Sequence, residues 1–181
     1  IGSRTNSENH AASRSISLAT PSDNFYLSPF QCFCRKHVIE LFIATTSDIQ
    51  EFSQRRKIHV GQVGIRCPWR SSIPQQDRAL KYTWYPSAIS RLYQSMEKIR
   101  MHHFPYCTKV PKSMREDYRA FFLNASKDTT SSASSSSFPV SRRTQAQIQY
   151  WIDSAKALGL IDTAYGIRFS SPMETNIKKY A

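Results

Sequence analysis

The apolar positions along the chain change period several times, and the changes outline one small domain. Residues 1–24 are polar and serine-rich without a period, which predicts a disordered N-terminal tail and a domain opening at Phe25. Ser28-Pro29 has the form of a helix start, with a capping hydroxyl followed by proline at the first helical position. Phe30, Phe33, Cys34, Val38, Leu41 and Phe42 then recur at three- and four-residue steps, predicting one amphipathic helix that ends near Ala44. Cys34 falls on its apolar stripe and is expected to pack. Ser47 is expected to cap a shorter helix carrying Ile49 and Phe52.

The period then shortens. Ile58, Val60, Val63 and Ile65, interrupted by Gly61 and Gly64, predict one or two short strands with a tight bend, delivering Cys67 at the end. Residues 68–79 carry Pro68 and Pro74 and predict a loop, and the alternation from Leu80 to Tyr85 predicts a half-buried strand. Ser87 can cap a helix with Ile89, Leu92, Tyr93, Met96, Ile99 and His103 on one face, ended by Pro105. Ser113 and Glu116 match a capping box for a helix running from Pro111 to about Leu123. Residues 124–141 are rich in Ser and Thr and predict a flexible internal loop. Thr144 and Gln147 form a second capping box before Ile148, Trp151, Ile152, Ala155 and Leu158, with Gly159 where a left-handed C-terminal residue is wanted. Leu160, Ile161, Ile167 and Phe169 flank a hairpin turn, and residues 170–181 are expected to fray. The sum is an α+β domain over 25–169, helix-rich, with a short antiparallel sheet or hairpins. The last helix and hairpin are too small to bury a core alone, so they are expected to dock on the rest.

Charge adds a partner class. The chain has 25 Lys and Arg against 13 Asp and Glu, a net +12. Residues 55–119 hold fourteen basic and four acidic residues, an excess of +10 in one central third. Such a balance suits a nucleic acid or an acidic protein. The candidate phosphate contacts are Arg55, Arg56, Lys57, Arg66, Arg70, Arg78 and Lys81, with Trp69 as the candidate stacking aromatic. Arg55-Arg56-Lys57 also reads as a nuclear address, or as a plain solvated run. The absence of a secretory pattern or a membrane-length apolar run predicts an intracellular, nuclear protein with no membrane partner.

Four cysteines, Cys32, Cys34, Cys67 and Cys107, are expected as thiols or metal ligands rather than disulfides. His103-x-x-x-Cys107 has the spacing of a ligand pair at a helix end. A finger-type zinc site would place a second thiolate three residues after Cys67, and that position is Arg70. Arginine has no lone pair to give. A fourth donor would therefore be His102, Asp77, Cys34, Cys32 or water. The alternative is that both cysteines and the histidine simply pack. Catalysis is not expected. No glutamate stands beside the candidate ligands as a base, no orienting acid accompanies Cys107 and His103, and five glycines in all form no phosphate-binding loop.

Several blocks carry a family resemblance: Leu27-Ser28-Pro29-Phe30 with Arg35 to Phe42, Gly61-Gln62-Val63-Gly64-Ile65-Arg66-Cys67, Tyr85-Pro86-Ser87, His103 with Cys107, and Gly159-Leu160-Ile161-Asp162 with Gly166 to Phe169. Over roughly 27–169 the chain resembles an uncharacterised zinc-finger-like domain recurring in predicted diatom proteins. In that family the Gly-Gln-Val-Gly-Ile-Arg block leads into C-x-x-C and an H-x-x-x-C-like pair follows. The resemblance implies ligand roles for Cys67, His103 and Cys107 and one zinc ion, with Arg70 departing from the pattern. It implies no activity.

Overall fold

The computed structural model describes residues 15–52, 58–71, 82–131 and 140–170. In chain order the elements are β1 (Ser15–Ile16), α1 (Asp23–Tyr26), α2 (Pro29–Phe33), β2 (Glu40–Ile43), α3 (Thr46–Phe52), β3 (Val63–Arg66), β4 (Thr83–Trp84), α4 (Leu92–His102), α5 (Lys112–Ser131), α6 (Val140–Ala157), β5 (Leu160–Thr163) and β6 (Gly166–Phe169). Strands β1 to β4 form one antiparallel sheet in sequence order, and β5–β6 a separate hairpin. The predicted α+β class, with helices beside a short antiparallel sheet, is what the chain adopts.

The sheet is covered on both faces. Leu41, Val63 and Ile65 point into the main core with Leu92, Met96 and Ile99 of α4, Trp151 and Ala155 of α6, and Leu160 and Ile167 of the hairpin. Phe42 points to the opposite face and packs with Ala44, Ile58 and Tyr85. Gly64 is required there, because a Cβ would lie 2.5 Å from Cε1 of Phe42. On that same face Glu40 and Arg66 are direct cross-strand partners, with Arg66 Nε donating to Glu40 Oε1 at 2.6 Å.

The predicted helix over 28–44 is only half correct. Ser28 caps α2 as expected, accepting from the Gln31 amide at 3.3 Å. The chain then passes through one wide π-turn, Cys34–Val38, and enters β2. Val38 and Ile39 are β-branched, and Leu41 and Phe42 gain a hydrogen-bonded ladder to β3 that a continuing helix would forgo. Cys34 packs in the core as expected.

The tail expectation is corrected for residues 15–24. Ser15 and Ile16 pair with Phe42 and Leu41, and Leu18 is fully buried. Asp23 and Arg35 form a buried ion pair, Nε to Oδ2 at 2.9 Å. A second Arg35 nitrogen donates to the Leu18 carbonyl, and the guanidinium lies 4.7 Å over Trp151. Residues 1–14 lie outside the described residues.

Other boundaries shift. Helix α3 is capped through Thr45, whose amide and hydroxyl donate to Asp48, rather than through Ser47. The expected tight bend falls at Gly61 (φ +80°) and leads into β3, while Ile58 and Val60 before it form no strand. Helix α5 continues past Leu123 to Ser131, and α6 starts at Val140, ahead of Thr144. Residues 124–131 and 140–141 of the expected serine-rich loop are therefore helical, while 132–139, and the expected frayed end over 171–181, lie outside the described residues. Gly159 ends α6 at φ +88°, as its position demands. The hairpin docks through Asp162, which accepts from the Ile89 amide at 2.7 Å, just before α4. Among the described residues no helix is long and apolar enough to cross a membrane.

Candidate metal centre

Cys67 is the first residue beyond β3. It is held extended (φ −71°, ψ 122°), and its amide donates to the Tyr82 carbonyl at 3.3 Å beside β4. Pro68 then starts a single 3₁₀ turn, closed by the Arg70 amide donating to the Cys67 carbonyl at 3.2 Å. His103 ends α4, its amide still bonded to the Ile99 carbonyl at 3.0 Å, but its backbone has left the helix at φ −125°. Pro105 stops α4 because it has no amide to donate. The turn Phe104–Tyr106 reverses the chain and brings Cys107 back toward His103. Phe104 anchors that turn in the core, with its ring 5.2 Å from Tyr118.

The consequence is convergence. Cys67, His103 and Cys107 are 0%, 4% and 2% exposed, and their ligand atoms all lie within 4.8 Å of one another. A tetrahedral zinc site with metal–sulfur bonds of about 2.3 Å has donor–donor edges of about 3.8 Å, so modest side-chain rotation closes this triangle onto an ion. The donor set is right in kind: two sulfurs and an imidazole. His103 Nε2 is buried with no hydrogen-bond partner, which is costly unless something else engages it. The site could hold a metal ion.

Its electrostatics are asymmetric. Cys107 is held well below the ordinary thiol range, first by a hydrogen bond from the Cys67 thiol, against burial, with His103 and Arg70 also favouring the thiolate. Cys67, as the donor of that bond and a buried group, is pushed up. The pair thus shares one proton, held on Cys67. Arg70 Nε donates to Cys107 Sγ at 3.4 Å. Its guanidinium lies 3.8 Å over the Tyr82 ring, whose centroid is 4.3 Å from that of His103. Tyr82, and Arg70 as a thiolate partner, join the site in roles that residue type does not announce. The signal was present for Arg70: the three-residue step that would aim a fourth thiolate at the site aims a guanidinium there instead.

The other expected site residues divide. Arg66 is 4% exposed, bonded to Glu40 and Ser15, and 4.6 Å over Phe42. It is a core ion pair, not a phosphate contact. Trp69 is not an exposed stacking platform: it packs against the core, and its indole N–H donates to the His37 carbonyl at 3.1 Å. Arg70 is half-buried over the thiolate. Arg55, Arg56, Lys57, Arg78 and Lys81 lie outside the described residues, as does Asp77. Of the other candidate fourth donors, His102 is exposed, and neither Cys32 nor Cys34 joins the cluster. Cys32 lines a separate groove of about 310 Å³ with Phe33, His37, Met114 and Phe121. Its thiol is pushed up by burial and by Asp23, the wrong direction for a nucleophile. Comparison with known protein families, curated proteins and solved structures finds no match to this chain.

Proposed function

We propose that this chain is a binding module rather than an enzyme, built around one zinc ion held by Cys67, His103 and Cys107. The observation that carries this reading is the convergence of three donors of zinc-binding type, from two separated segments, at a buried point where His103 Nε2 has no other partner. A metal there ties the end of β3 to the end of α4. Among the described residues, twenty buried residues of the main core besides Cys67 and Cys107 indicate that the ion adds to a fold with its own apolar support. The family resemblance points to the same three ligands.

Zinc is expected to load at one ion per chain by elemental analysis. At a free concentration of about 100 times Kd it adds about 2.7 kcal/mol of stability. For a chain of this size that is a rise of about 5–10 °C in Tm. Cys67→Ser and Cys107→Ser are expected to remove the shift. A chain that carries no metal and melts at the same temperature with or without zinc refutes this reading.

The partner proposed for the module is nucleic acid, on the strength of the +12 net charge. Binding is expected to weaken steeply between about 50 and 200 mM salt. Affinity for an acidic protein with none for DNA or RNA would move the assignment to a protein-interaction module.

A further inference from the structure

We infer that the metal centre keeps its fourth coordination position for an exogenous monoanionic thiolate, with Arg70 as the counter-charge. This rests on the metal reading above and assigns that site a ligand. Three observations lead to it.

Among the described residues only three donors converge, one fewer than a closed structural zinc site uses. The residue at the finger-type fourth position is Arg70, which cannot coordinate. It is nonetheless held at the site, with Nε 3.4 Å from Cys107 Sγ and its guanidinium over the Tyr82 ring at 3.8 Å.

The formal charges then select the ligand. A divalent ion with two thiolates and a neutral imidazole sums to zero, and Arg70 brings the site to +1. A monoanion in the fourth position restores neutrality at a site whose three donors are buried and whose open side is the half-buried Arg70. A net charge left in such a place is expensive. A third thiolate donor in place of Arg70 would give −1 instead, so the arginine inverts the preference of the site. Two sulfurs already on a borderline-soft ion favour a soft, weakly hydrated anion over phosphate or carboxylate. Binding is balanced as a ligand exchange: the thiol gives its proton to solvent, its sulfur enters the coordination position, and a water molecule leaves.

The test uses the full chain loaded with cobalt(II), under anaerobic conditions, titrated with 2-mercaptoethanol and separately with azide. The sulfur-to-cobalt charge-transfer absorption is expected to rise by about one half as two thiolate ligands become three. Azide is expected to need a concentration more than about tenfold higher. Arg70→Leu is expected to weaken the thiol response about tenfold, the loss of a charge-assisted contact. Arg70→Cys is expected to start at the three-thiolate intensity and ignore added thiol. Asp77→Ala is expected to respond like the parent chain. A cobalt-loaded parent chain whose spectrum is unchanged by thiol overturns the inference, and so does a thiol response that appears only once Asp77 is removed. Failure to show tetrahedral cobalt absorption before any thiol is added overturns the metal reading itself.

Discussion

Replacing Arg35 by methionine removes a guanidinium that is completely buried and joins three parts of the fold. It pairs with Asp23 at 2.9 Å, donates to the Leu18 carbonyl, and stacks 4.7 Å over Trp151 of α6. Burial works against its charge, and Asp23 is the largest compensating influence. Without it the Asp23 carboxylate, itself 4% exposed, has no counter-ion among the described residues. Removing one partner of a buried pair costs about 3–5 kcal/mol. Asp23 keeps hydrogen bonds from the Thr20 hydroxyl at 2.8 Å and the Tyr150 hydroxyl at 2.9 Å, which places the expected loss near the lower end, about 3 kcal/mol. In a melt followed by circular dichroism that is a drop of about 6–12 °C. The double variant Asp23→Leu with Arg35→Met is expected to recover most of the loss, because an apolar pair leaves no charge stranded. A single variant costing under about 1 kcal/mol in urea titration, or a double variant worse than the single, refutes the placement of residues 15–24 as part of the folded domain.

The shared proton of the cysteine pair sets a pH dependence for the metal-free chain. Between about pH 3 and about pH 8.5 the unfolded state keeps both thiol protons while the folded state has lost that of Cys107, so stability rises with pH. Above that value the unfolded state loses both while the folded state retains the proton on Cys67, so stability falls. Urea titrations in metal-free buffer are expected to peak near pH 8.5, with slopes below the one-proton limit of about 1.4 kcal/mol per pH unit. In Cys107→Ser the acid-side rise should be much shallower, and an identical profile for both proteins would show that Cys107 is no thiolate. Gly64→Ala forces a methyl to within 2.5 Å of Phe42 and 3.0 Å of Tyr85, and is expected to cost about 1–3 kcal/mol in the same titration. A neutral result would mean that Phe42 has room to turn away.

Local chemistry wrote much of this protein into its sequence. Ser28 before Pro29, Pro105 after α4 and Gly159 after α6 act through their own backbones, and each does what its residue type requires. The hairpin at 160–169 and the His103–Cys107 pair are legible for the same reason, because their partners lie within ten residues. Segment 38–43 is different. Its spacing suits a helix as well as a strand, and the ladder to β3, more than twenty residues away, chose the strand. The same holds for Leu18, Asp23 and Arg66, whose polar or tail-like surroundings hide partners such as Arg35, Trp151 and Glu40. The three candidate ligands could be named from spacing and residue type. That Cys67 meets the other two depends on how β3 and α4 pack, and so does the fate of Arg70. A lone arginine in a basic segment reads as a surface cation, and only the packed chain sets its guanidinium against a buried sulfur.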